Sequence, residues 1–253
     1  MNIIINRNIL IVSVLLIVIA CENNPTEPPI ELNPLLTEEM VRDVSLDPGI
    51  RVGTFNMLGS IDWSYSLSVP EIDDEEKVPL IIGLHWYGGV SEQYLRCLAD
   101  PGFKKMNAII FAPDAGEYSF WEEANYSLIL TLIEYAKKYW PIDEGKIVIS
   151  GYSDGGIASW YFGTHYPKIF SAAIPMASRN NYNKKPEIPF YVIHGENDEI
   201  FSLSETQSSV DYFKNRGADI QLVVIEGLSH YVPCSYDNSL RFASDWLLGD
   251  VWK

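Results

Sequence analysis

The chain has 253 residues and a formal net charge of −16, with 18 Lys and Arg against 34 Asp and Glu. That balance leaves no basic patch to neutralise phosphates and excludes nucleic acid as a partner; it suits a protein kept soluble outside the cytoplasm by its own charge. The three cysteines and four histidines show no zinc-site spacing and no internal repeat is visible, so the chain reads as a single domain needing no metal or cofactor.

In chain order, the N-terminus comes first. Arg7 is the positive side chain before an apolar run, Ile9 to Ala20, broken by Ser13 and ended by Cys21. A basic start, an apolar core and a small residue before the break make a secretory signal, shorter than the about 20 apolar residues of a comfortable membrane span. Cys21 directly after Ala20 resembles the lipobox of bacterial lipoproteins. The resemblance implies cleavage before Cys21 and a diacylglycerol on its sulfur. Palmitate-type chains would then anchor the exported protein to a bacterial membrane, on its periplasmic or cell-surface side. Each buried CH₂ contributes about 0.8 kcal/mol, so two chains or more hold firmly. An ordinary cleaved signal with an incidental Cys21, or an uncleaved anchor, is the alternative. Glu22 to Pro34 is proline-rich and polar and predicts an extended tether. The expected division is a signal over 1–20, a lipidated cysteine and tether over 21–40, and a globular domain over 41–253.

Ile61 to Val69 alternates apolar and polar residues and predicts a half-exposed, antiparallel strand. Val78 to His85 and Ala108 to Ala112 are continuous apolar runs, as expected of strands covered on both faces. Between them Ser91 to Lys105 has a helical pattern, interrupted at Pro101-Gly102. Trp121 to Tyr139 predicts a long amphipathic helix, and Lys146 to Ile149 a strand. Ala172 to Met176, Phe190 to His194 and Ile220 to Ile225 are further strands. Ser204 to Asn215, stopped by Gly217, and Tyr236 to Leu248 are helices. Strands alternating with helices give an α/β fold, a mostly parallel sheet with helices on both faces. In such sheets the chemistry lies in loops at the carboxyl ends of the strands.

One such loop carries Gly151-Tyr152-Ser153-Asp154-Gly155-Gly156 between the strand ending at Ser150 and a helix-like stretch from Ile157. Gly-x-Ser-x-Gly in that setting is a nucleophile elbow: flanking glycines let strand and helix approach, and the hydroxyl stands clear of the backbone. A serine hydroxyl needs a base, itself oriented by an acid. His85 precedes the elbow, His165 precedes any strand-end acid, and His194 precedes its own loop; the last two read as structural. His230, in the loop after the final strand, remains as the base. In the loop His194-Gly195-Glu196-Asn197-Asp198-Glu199-Ile200 three carboxylates compete. Asp198 lies deepest and is the chosen acid, while Glu196 and Glu199 read as solvated loop charge. One oxyanion donor is the Asp154 amide. The second comes from Leu84 to Val90, where Gly88-Gly89 lets Tyr87 or Trp86 present an N–H.

These pieces resemble the α/β-hydrolase superfamily. Together with Trp140 to Asp143 and Tyr166-Pro167 they are similar to its compact, lidless esterases: the phospholipase/carboxylesterase, dienelactone hydrolase and polyhydroxybutyrate-depolymerase-like groups. The resemblance covers nearly all of the chain after the tether. It implies Ser153, Asp198 and His230 as a catalytic triad and the Tyr87 and Asp154 amides as the oxyanion hole, acting on a small-molecule or oligomeric ester. The chain departs from it at His85-Trp86, where the family usually has His-Gly and where the indole adds bulk. In this fold Cys97 and Cys234 lie on neighbouring elements, so they form either a disulfide, in an oxidising compartment, or two buried thiols. Arg179 to Ile188 is too short for a lid, which predicts an open cleft. Trp63, Trp86, Tyr87, Trp121 and Tyr231 are candidates to line it, core being the commoner fate of aromatics. A thioesterase or peptidase on the same scaffold, or a non-catalytic surface binding protein, are the rival readings.

Overall fold

The computed structural model describes residues 30–57, 61–73, 75–115 and 123–253. The signal, Cys21 and most of the tether fall outside them, as does Trp121.

The chain joins the folded body earlier than residue 41. The Asn33 amide donates to Thr131 Oγ1 at 2.7 Å and its side-chain amide to Ser127 Oγ at 2.8 Å. Leu36, and Val41 of helix α1 (Glu38–Arg42), are buried. Trp140 Nε1–H donates to the Val41 carbonyl at 3.0 Å. Burying an aliphatic side chain contributes about 1.5–3 kcal/mol, which offsets the ordering of a short stretch that composition alone marks as tether.

Strand β1 (Gly49–Met57) was not anticipated. It lies at a sheet edge, pairs with β2 alone, and buries just Phe55 and Met57, so its apolar signal is weak. Then come β2 (Ile61–Val69), β3 (Val78–Leu84), the helical turns α2 (Ser91–Tyr94) and α3 (Asp100–Phe103), and β4 (Ile109–Pro113). The second half has α4 (Glu123–Tyr139), β5 (Ile142–Tyr152), α5 (Asp154–His165), β6 (Ala172–Met176), β7 (Phe190–Asn197), α6 (Leu203–Lys214), β8 (Ile220–Ser229) and α7 (Asp237–Trp246). The eight strands form one sheet in the order β1-β2-β4-β3-β5-β6-β7-β8. β2 is antiparallel to both β1 and β4, and every pair from β4 to β8 is parallel.

The continuous apolar strands serve two faces at once. Leu80, Ile82 and Leu84 of β3 pack in one core cluster with Val41, Leu132, Phe162 and Phe213. Ile81 packs in a second cluster with Leu95, Leu98 and Leu240. Helices α1, α4, α5 and α6 therefore cover one face, and the Ser91–Met106 segment and α7 the other. Pro101 does not interrupt that segment. A π-helical turn over Leu95–Ala99 precedes it, and the widened turn carries the helix past a residue that lacks an N–H and crowds the carbonyl four residues back. The same turn holds Cys97, which is joined to Cys234 in a disulfide.

Candidate active site

The elbow forms where β5 turns into α5. Ser153 has φ 56° and ψ −114°, the strained left-handed conformation of a sharp strand-to-helix turn. A Cβ on Gly151 would overlap the Gly155 carbonyl, and one on Gly155 would overlap that of Leu84. Strand and helix thus meet more closely than any other residue allows. Ser153 N–H donates to the Met176 carbonyl at 3.0 Å, which ties the elbow to β6.

Three side chains from three strand ends meet there. Ser153 Oγ lies 2.9 Å from His230 Nε2. His230 Nδ1 lies 2.7 Å from Asp198 Oδ2. A carboxylate only accepts, so Nδ1 carries the hydrogen and Nε2 is left to accept from the serine. The other Asp198 oxygen accepts the amides of Ile200, at 2.9 Å, and Phe201, at 2.7 Å. Burial pushes this carboxyl up, but the bond from His230 and those two amides outweigh it and hold it below the usual range.

Glu199 is exposed, as expected of loop charge, but it also holds the loop that carries His230. Its carboxylate accepts the His230 amide at 2.9 Å and the Ser229 hydroxyl at 2.9 Å, contacts that stabilise the ionised form and hold its pKa below the ordinary carboxylate range. Glu196 likewise accepts the Gly227 amide at 2.8 Å. Adjacent carboxylates therefore grip one loop, Asp198 by the imidazole and Glu199 by the backbone. Tyr152 adds a third hold, its hydroxyl donating to the His230 carbonyl at 2.7 Å. Sequence reasoning missed both contacts because each joins residues about 30 or more positions apart through a backbone atom, which carries no sequence signal.

The remaining histidines are structural. His165 Nδ1 meets the Tyr161 carbonyl at 2.9 Å, and His194 Nε2 meets that of Phe201 at 2.8 Å, under the Asp198 loop. Burial pushes the His85 imidazole down to about 4. It is thus neutral at ordinary pH, and its Nδ1–H donates to the Trp86 carbonyl at 2.6 Å. That carbonyl also accepts the Gly89 amide at 3.0 Å and closes a turn with Tyr87 at its tip. Asp154, the first residue of α5, lies at the positive end of the helix.

A cavity of about 550 Å³ opens over Ser153 and His230, walled by Trp86, Tyr87, Ile200 and Tyr231. Trp63 is not part of it: the ring is buried in the core and donates to the Asp114 carbonyl at 2.9 Å. Residues 177–189, between β6 and β7, contain no helix or strand to form a lid. Among the described residues no group of three or more His, Cys, Asp or Glu side chains is placed to hold a metal ion.

Residues 114–247, more than half of the chain, match the phospholipase/carboxylesterase family. The chain belongs to the phospholipase/carboxylesterase family. It is 28% identical over 134 residues to acyl-protein thioesterase 1 homolog 1 of Dictyostelium discoideum, a match over 48% of this chain and 58% of that protein. The fold of this phospholipase/carboxylesterase member is similar to that of a thermostable esterase, with TM-score 0.65, 23% identity, and 79% of this chain and 62% of the other covered. It is also similar to a fluorophosphonate-binding serine hydrolase of Staphylococcus aureus, with TM-score 0.68, 14% identity, and 81% and all of the two chains covered. At these identities the two structures speak for an α/β-hydrolase fold. The chain spans less than two thirds of the length of the Dictyostelium protein and of the thermostable esterase.

Proposed function

We propose that this chain is an exported, lipid-anchored serine hydrolase that cleaves carboxylic esters. The observation that carries the reading is the continuous chain of hydrogen bonds from Ser153 through His230 to Asp198, at 2.9 and 2.7 Å, at the floor of an open cavity. Ser153 attacks the ester carbonyl while His230 takes its proton; Asp198 orients the imidazole and stabilises its charged form. The Tyr87 and Asp154 amides stabilise the tetrahedral oxyanion. His230 returns the proton to the departing alcohol, and water, activated by the same imidazole, releases the acid. Cys21 would carry the lipid anchor.

Thioester hydrolysis is a second reading, favoured by the likeness to an acyl-protein thioesterase. It uses the same groups with a thiol as leaving group, so matched oxygen and sulfur esters would rank the two.

Both halves of the proposal can be read in one experiment on cells making the full chain. A fluorophosphonate probe should label the wild type in the membrane fraction, Ser153→Ala should abolish labelling, and an alkyne-tagged palmitate fed to the cells should tag the wild type but not Cys21→Ser. Labelling that survives Ser153→Ala would sink the nucleophile. A Cys21→Ser form that takes up the palmitate as the wild type does would sink the lipid anchor.

A further inference from the structure

A second cavity, of about 600 Å³, adjoins the first, and Trp86 and Pro233 line both. Its other walls are Val90, Glu92, Gln93, Arg96 and the Cys97–Cys234 disulfide. The partition between the two is held in place. The Trp86 indole lies over Gly89, where any Cβ would collide with it. It also sets an edge against the Tyr152 ring, with centroids 6.0 Å apart and planes at 83°. Pro233, the other residue shared by the two cavities, precedes the cysteine pinned to the π-helical turn.

Position says which half of a substrate lies there. The imidazole that takes the serine proton must pass it to the leaving oxygen, so the alcohol half of an ester departs on the His230 side. From His230 the chain runs through Tyr231 and Pro233 to Cys234 and borders both cavities. Lining chemistry says what kind of alcohol it is. Arg96 Nε and Glu92 Oε1 pair at 2.8 Å, with about half of each side chain still in water, so the wall has no net charge but offers donors and acceptors, with Gln93 and the Trp86 indole in the same lining. A fatty chain laid against that pair would cover part of the hydration of a guanidinium and a carboxylate without replacing it. A polyhydroxylated ring would bond them and set its C–H face on the indole.

We propose that this second cavity is the leaving-group subsite and that it takes a hydroxyl-rich, sugar-like alcohol, with Trp86 as the platform between that ring and the scissile bond. The proposal rests on the esterase reading above. In the step it serves, the acyl C–O bond of the sugar ester breaks, Ser153 Oγ gains the acyl group, and the sugar leaves carrying the proton from His230.

The test compares two acetyl esters with the purified full chain: p-nitrophenyl acetate, whose leaving group needs the first cavity alone, and an acetylated disaccharide that reaches the second. The ratio of kcat/KM, disaccharide over p-nitrophenyl ester, should fall by about fivefold or more in Gln93→Ala and further in Gln93→Ala/Arg96→Ala, in line with hydrogen bonds of about 1 kcal/mol each. The fall should lie mainly in KM. Turnover of p-nitrophenyl acetate with an unchanged ratio would overturn the subsite alone. If the wild type fails to turn over p-nitrophenyl acetate, or Ser153→Ala turns it over equally well, the esterase reading falls and takes the subsite with it.

Discussion

At the residue scale, the least expected group is Glu199. It is exposed, yet its carboxylate fixes the backbone of the residue that supplies the imidazole. Removing it leaves Asp198 and His230 chemically intact but frees the loop that aligns them, and small misalignment of a base is costly in rate. Glu199→Ala should therefore lower kcat by about tenfold with KM nearly unchanged. Glu199→Gln, whose amide oxygen still accepts, should recover most of the loss. Steady-state kinetics of the two variants beside wild type decide this, and equal losses in both would mean that the charge, not the hydrogen bond, is what matters. That Asp198 and His230 come together with Ser153 was legible from chain order and strand ends. Glu199 was not, because its partners are a main-chain amide and a hydroxyl that become neighbours only when β7 and β8 pair.

At the scale of elements, the hydrophobic pattern carried the central strands and the longer helices. β3 and β4 are apolar at nearly every position because both faces are covered. The pattern failed at the margins. β1 is an edge strand with exposed Val52, and the chain passes Pro101 because a π-helical turn precedes it. That turn also brings Cys97 to Cys234, with Cα atoms 5.0 Å apart, across a sequence separation of 137. The bond cross-links the Ser91–Met106 segment to the chain just after His230. A cross-link closing so long a loop should contribute about 2–4 kcal/mol. Cys97→Ala/Cys234→Ala should thus melt at lower temperature, and a reducing agent should lower the melting point of the wild type but not of the variant. A variant that melts with the wild type would show that packing alone holds the two elements together.

At the scale of the whole molecule, stability should depend on pH through its buried histidines. His85 drops from an ordinary 6.5 to about 4 in the folded state, burial being the cause; His194 and His165 shift the same way. The unfolded chain therefore binds protons that the folded one refuses. Stability is full above about pH 6.5 and declines as pH falls towards 4, by about 3 kcal/mol for His85 alone. Denaturation midpoints at about pH 7 and about pH 4.5 should differ, and His85→Gln should shrink the difference; an undiminished difference would mean that His85 is not the group responsible. Apolar period, glycine placement and the succession of strands along the chain are local properties, so the fold class, the elbow and the residues able to serve it could be read from the chain alone. Folding was needed to reveal that Glu199 and Tyr152 hold the histidine loop, that Trp63 is core while Trp86 lines two cavities, and that the two cysteines are bonded. Each of those facts depends on distances between residues far apart in the chain, which exist only once the sheet has assembled.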